Sequence, residues 1–144
     1  MLQIDLPDID NVKLWDEIVS NKKGTRREKL LQCRQPVLDR YAFYESHYAS
    51  LEEITPLEAP PWADIKDDLR SCYGDNIAFG RAKKKLLSSA SKCPYCLLNR
   101  PNTLDHYFDK SDYPEYSVFT PNLVPCCSEC NSLKGTGLFH DDRQ

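Results

Sequence analysis

The chain has 144 residues, 40% hydrophobic and 28% charged, with ten prolines, five glycines and a formal net charge of −3. That is one domain's worth of chain, or a domain with a small module attached, with enough apolar residues for a real core and too many for a disordered tail. No apolar run approaches the roughly 18 residues a membrane helix needs, and the first eight residues lack the basic and apolar regions of a secretion signal, so no membrane partner is expected and the cytosol is the expected compartment.

The first 92 residues read as helical. Val12, Trp15, Ile18 and Val19 recur at helical spacing over residues 11–22, with Gly24 as a stop. Thr25 and Glu28 form a capping-box pattern before a longer helix through Leu30, Leu31 and Cys33. Pro36 is expected to kink or divide it, with a continuation through Val37, Tyr41, Tyr44, Tyr48 and Leu51. A proline-rich turn spans residues 55–61. Two shorter helices are expected over residues 62–72, closed by Gly74, and 76–90. From Lys92 the character changes: a tight Cys-Pro-Tyr-Cys turn, a strand over 102–107, a second strand or extended loop over 119–124, and a short helix from Cys127 to about Lys134 before Gly135 and Gly137. The composition shift places a boundary near residue 90, with a helical N-terminal region over 1–90 and a compact module over 91–144.

Seven cysteines is an odd number, and without a secretion signal it argues against a disulfide framework. Cys93-x-x-Cys96 and Cys127-x-x-Cys130 are two pairs whose four thiolates can close a tetrahedral Zn²⁺ site, since a two-residue gap turns both sulfurs of a pair toward one ion. The alternatives are buried free thiols or a redox pair, although a redox Cys-x-x-Cys more usually comes singly, at a helix start after a strand. A shifted register through Cys126 gives poorer spacing, so Cys126, like Cys33 and Cys72, is assigned to packing.

Between the pairs stand Leu104-Asp105-His106-Tyr107-Phe108 and Pro121-Asn122-Leu123-Val124-Pro125, and the second pair runs on as Cys130-Asn131-Ser132-Leu133-Lys134-Gly135. In this order the motifs resemble the HNH endonucleases, in the branch whose ββα-metal site is buttressed by a four-cysteine zinc. The likeness covers residues 93–137, with Asn131 where other members carry a histidine. It implies metal-dependent hydrolysis of phosphodiester bonds in nucleic acid, leaving 5′-phosphates. His106 is then the general base, because an imidazole titrates near neutral pH. By the same resemblance Asp105 and Asn131 hold a catalytic Mg²⁺ or Mn²⁺, and Asn122 secures the loop and helps orient His106. Lys134, three residues after Asn131 on the same helical face, is a candidate for a phosphate contact. The zinc does no chemistry in this scheme. A non-catalytic zinc-binding module for nucleic acid or protein is the alternative.

Charge is unevenly spread: residues 1–80 carry a net −5 and residues 81–144 a net +2. The overall field does not steer toward nucleic acid, so phosphates must be met locally. Arg81, Lys83, Lys84 and Lys85 face away from the apolar stripe Phe79, Ala82, Leu86 and Ala90; they are either a solvated face or a phosphate-binding patch that Lys92 and Arg100 extend. Little aromatic interleaving points to backbone contacts, weak sequence preference, and duplex DNA as the first substrate to try. His140 is read as a tail residue, His47 as a core or rim histidine, and Asp109, Asp112 and Glu115 as surface acids. Residues 138–144 show no stop signal, so continuation of the chain or completion against a partner is expected. The acidic helical part, with Trp15, Trp62 and eight tyrosines overall, is a candidate docking surface. Some nucleases of the resembled family act beside an ATPase or other sensor in bacterial antiphage defence, which makes a regulatory partner of that kind an expectation. The fold class expected is α+β and mainly α-helical, with a helical N-terminal region for DNA or partner docking followed by a zinc-supported ββα-metal, treble-clef-like module.

Overall fold

Asp10 opens the first helix, α1 (Asn11–Ser20), by accepting from the Lys13 backbone N–H at 3.1 Å, the usual satisfaction of an orphan N-terminal donor. The computed structural model describes residues 6–60, 62–74 and 76–134. α1 buries Leu14, Trp15, Ile18 and Val19, whereas Val12, expected on that face, lies exposed in the first turn. Gly24 begins α2 (Gly24–Gln32) instead of ending α1; its φ of +60° suits the turn between them. Thr25 therefore falls inside the helix, Lys23 is the cap without a side-chain bond, and the capping box does not form.

The division of the long helical stretch falls at Cys33, before α3 (Arg34–Ser46). In an unbroken helix the Pro36 ring would meet the Gln32 carbonyl; in the first turn of α3 its missing N–H costs nothing. α3 stops at Ser46, and Leu51 belongs to a separate 3₁₀ turn (Leu51–Glu53). α4 (Trp62–Arg70) and α5 (Ile77–Ser88) follow. The side chain of Asn76 caps α5 through the Phe79 N–H at 2.8 Å.

β1 (Thr103–His106) pairs antiparallel with β2 (Leu123–Cys126), with Asp105 opposite Val124 and His106 opposite Leu123. α6 (Ser128–Lys134) completes a β–β–α order. The second strand starts later than residue 119, because Pro114 and Pro121 favour two 3₁₀ turns, Pro114–Tyr116 and Thr120–Asn122. The fold is mixed α+β with a two-stranded sheet, as the sequence implies.

One apolar core runs from the helices into the sheet and crosses the compositional change near residue 90. It joins Trp15, Ile18, Val37, Phe79 and Leu86 to Leu104, Phe108, Tyr116, Phe119 and Leu123. The connection between the strands is a packed part of this core. Phe119 stacks on Tyr41 with centroids 4.2 Å apart, and the Tyr44 ring stands edge-on to Tyr116 at 5.0 Å and Phe108 at 5.7 Å. The Arg40 guanidinium meets Glu115 at 2.9 Å, so Glu115 is a buried ion-pair partner and not a surface acid. Trp15, Tyr41, Tyr44 and Tyr116 are likewise buried and offer no docking surface. His47 sits at the α3 end with its Nδ1 2.8 Å from the Phe43 carbonyl. His140, Gly135 and Gly137 lie outside the described residues. No described helix is long and apolar enough to cross a membrane.

Candidate functional site

The sulfurs of Cys93, Cys96, Cys127 and Cys130 all lie within 4.8 Å of one another, with Cys96 and Cys127 at 3.9 Å. A tetrahedral zinc with Zn–S bonds of about 2.3 Å sets its sulfurs about 3.8 Å apart, so the cluster fits a four-thiolate zinc site. The first knuckle closes by a bond from the Leu97 N–H to the Cys93 carbonyl at 2.8 Å, with Leu97 in the left-handed region at φ +61°. The second stands at the start of α6, where the Ser128 N–H reaches the Asn102 side chain at 2.8 Å. The cluster is split: backbone donors of Asn99 and Leu98 lower the Cys96 pKa and that of Cys130 helps bring Cys127 to about 6, while burial and the neighbouring sulfurs push Cys130 well up. Cys126 lies beside the cluster but outside it, fully buried, with its thiol pushed up to about 12 by burial. Cys33 and Cys72 are in the core, raised by burial to about 11 and about 12.

At the end of β1 a polar pocket of about 250 Å³ gathers Asp105, His106, Asn131 and Lys134, with Tyr73, Asp109 and Lys110 at its wall. Asp105 is 3% exposed and has a partner on each oxygen. The Tyr95 hydroxyl donates to Oδ2 at 2.7 Å, and the Lys134 ammonium donates to Oδ1 at 2.6 Å and to the His106 carbonyl at 2.9 Å. Lys134, the sequence candidate for a phosphate contact, is thus turned inward with its side chain 4% exposed.

Strand alternation sends His106 away from Asp105's partners. Its Nε2 lies 2.9 Å from the Ser117 carbonyl, and its ring stands edge-on to Tyr73 at 4.6 Å. A carbonyl only accepts, so Nε2 carries the proton and Nδ1 is the basic nitrogen. Burial lowers the imidazole pKa to about 4, which keeps the ring neutral near pH 7.

Asn122, fully buried, closes the connection. Its side-chain oxygen accepts from the Phe108 N–H at 2.9 Å, and its amide donates to the Phe108 carbonyl at 3.1 Å. Its backbone carbonyl takes the Tyr107 N–H at 2.9 Å, which fixes the chain just past His106. Asn131 donates to the Leu104 carbonyl at 3.3 Å, and its amide oxygen is the remaining donor toward a cation. One carboxylate and one amide oxygen with room for water is a hard-oxygen set of the kind Mg²⁺ and Mn²⁺ take. It fits such an ion once the Lys134 ammonium gives up its seat on Asp105.

Arg81, Lys83, Lys84 and Lys85 are not among the lining of this pocket. Arg81 pairs with Glu17 at 3.2 Å, while Lys84 and Lys85 are exposed. Tyr73, Tyr95 and Lys110 escaped the sequence reading. Tyr95 lies inside the first knuckle, and Lys110 four residues beyond His106, positions that become informative only when the chain is folded.

No family model and no solved structure matches the chain. It is similar to protein ea31 of Escherichia phage lambda, 45% identical over 58 residues, which is 40% of this chain and 20% of that protein. It is also similar to the Septu protein PtuB of Bacillus thuringiensis, 32% identical over 77 residues, 48% of this chain and 29% of that protein. The chain therefore spans less than a third of the length of either relative. With the four-cysteine cluster, the similarity to the Septu protein fits a zinc-binding module.

Proposed function

We propose that this chain is a metal-dependent endonuclease of the HNH kind, hydrolysing phosphodiester bonds in DNA, with a four-cysteine zinc as its scaffold. The observation that carries this is His106, its Nε2 held by the Ser117 carbonyl at 2.9 Å, in one pocket with Asp105 and Asn131. His106 Nδ1 takes the proton of the attacking water. Asp105 and Asn131 would hold the cation, whose charge would stabilise the leaving 3′-oxygen when bound. Asn122 fixes the backbone beyond His106, and Tyr95 holds the Asp105 carboxylate by its other oxygen, while Lys134 occupies the place the cation would take.

The similarity to a Septu protein, together with the resemblance to nucleases that act beside an ATPase, supports a place in a bacterial antiphage defence complex with a regulatory protein partner. A second reading, a zinc module that binds without cutting, draws support from Lys134, whose ammonium already neutralises Asp105.

Plasmid nicking with Mg²⁺ or Mn²⁺ separates the two. Cleavage lost in His106→Ala and on adding EDTA supports the nuclease. A wild-type chain with stoichiometric zinc that binds DNA but leaves the plasmid intact, alone and with its partner, supports the binding module.

A further inference from the structure

The pocket holds two lysines in opposite circumstances. Lys134 is consumed: buried, at 2.6 Å from the Asp105 carboxylate and 2.9 Å from the His106 carbonyl. Lys110 is not. Its ammonium rests 4.5 Å over the Tyr73 ring, and that same ring packs edge-on against His106 at 4.6 Å. His106, Tyr73 and Lys110 thus stand in a row along one wall of the pocket. Among the described residues Lys110 makes no ion pair, although Asp109 lines the same pocket.

We infer that Lys110, held on the face of Tyr73, is the residue that takes a phosphate of the substrate strand beside His106. This rests on the nuclease reading above. A cation on an aromatic face is oriented without being neutralised, and that contact is weaker than a charge-assisted bond to a phosphate oxygen, so a phosphate displaces the ring without a large penalty. The turn carrying Lys110 is ordered by the Asp112 and Tyr113 N–H groups, which reach the Asp109 carbonyl at 3.1 and 2.8 Å. An acidic chain needs a local cation at the point of phosphate contact, and Lys110 supplies it where Lys134 is committed to Asp105. Tyr73 follows α4, so the helical region positions this contact for a residue of the strand connection.

The test is the salt dependence of binding to a 20-bp duplex (a length of about two helical turns), with no divalent cation added and the nicking assay run alongside. Each phosphate neutralised contributes about 0.9 to the slope of log K against log salt. Lys110→Gln is expected to flatten the slope by about that amount and to weaken all duplex sequences alike. Lys134→Gln, compared at temperatures where it is folded, is expected to keep the slope. Tyr73→Leu, which retains the charge but loses its platform, is expected to weaken binding with the slope retained. Zinc content and circular dichroism establish that each variant is folded. A wild-type chain that cuts plasmid while Lys110→Gln keeps the full slope overturns this assignment alone. A wild-type chain that neither cuts nor binds overturns it together with the nuclease reading.

Discussion

Replacing Lys134 with methionine keeps the length and apolar stem of the side chain and removes only the charge. The Asp105 and Lys134 side chains are each 4% exposed, and their contact is 2.6 Å. Removing one partner of a buried pair costs about 3–5 kcal/mol, because the other charge stays buried and uncompensated. The His106 carbonyl also loses a donor, while the Tyr95 hydroxyl continues to hold Asp105 Oδ2. These effects work in opposite directions, so a loss near the lower end, about 3 kcal/mol, is expected. For a domain near 150 residues each kcal/mol moves Tm by roughly 2–4 °C, giving a fall of about 10 °C for Lys134→Met by calorimetry. Adding Asp105→Asn removes the stranded charge and is expected to recover most of that loss, a coupling of about 2 kcal/mol in the double-mutant cycle.

The same variant tests how Lys134 bears on the cation. An ammonium and a divalent ion about 4 Å apart repel by about 8 kcal/mol at an effective dielectric of 20, so in the wild type a metal at Asp105 must first displace the lysine. Mn²⁺ at about 100 times its dissociation constant stabilises by about 2.7 kcal/mol. Lys134→Met is therefore expected to gain several degrees in Tm at Mn²⁺ concentrations that leave the wild type unchanged. A variant within about 1 kcal/mol of wild type, or additive losses in the cycle, would refute the energetics of the pair. An equal Mn²⁺ response in both proteins would refute the competition.

Glu115 supplies a pH test. Burial outweighs the Arg40 guanidinium and holds its carboxyl above the ordinary value, so the folded chain keeps this proton where the unfolded chain has lost it. Stability then falls as pH rises from the ordinary carboxyl range through the raised folded value, and the Tm difference should shift toward Glu115→Gln over that rise; a flat difference would count against it. For the four-cysteine cluster, Cys96→Ser should lose zinc and Tm together, because site formation is part of folding, whereas His106→Ala should keep its zinc by elemental analysis. Zinc lost from His106→Ala would mean that the ligand set is misassigned.

The helices and the knuckles were legible because they rest on local chemistry. Periodicity marks Trp15, Ile18 and Val19, a proline marks the break before α3, and a two-residue gap between cysteines fixes two sulfurs on one ion. Where a residue faces a distant segment, the sequence misleads. Glu115 looks like a loop acid until α3 brings Arg40 beside it, and Tyr41, Tyr44 and Tyr116, three of the tyrosines offered as a docking surface, are packing between α3 and the strand connection. Lys134 looks like a phosphate ligand by helical spacing from Asn131, but the folded chain seats its ammonium on Asp105, a residue 29 positions away. The strand connection was the least legible part, because its prolines favour 3₁₀ turns and its order comes from Tyr41 and Tyr44.

Asp105 and His106 are neighbours in sequence, yet different parts of the molecule position them. Asp105 is gripped by Tyr95, between the two ligands of the first knuckle, and by Lys134, four residues past the last ligand of the second. His106 is gripped by the Ser117 carbonyl and the Tyr73 ring, both parts of the body formed by α3, α4 and the strand connection. A disturbance at the zinc cluster therefore acts first on Asp105, through two side chains at once. A disturbance of the helical body acts first on the His106 ring. The two supports meet only at Lys134, whose ammonium also reaches the His106 carbonyl at 2.9 Å, while strand alternation at β1 turns the two side chains to different partners.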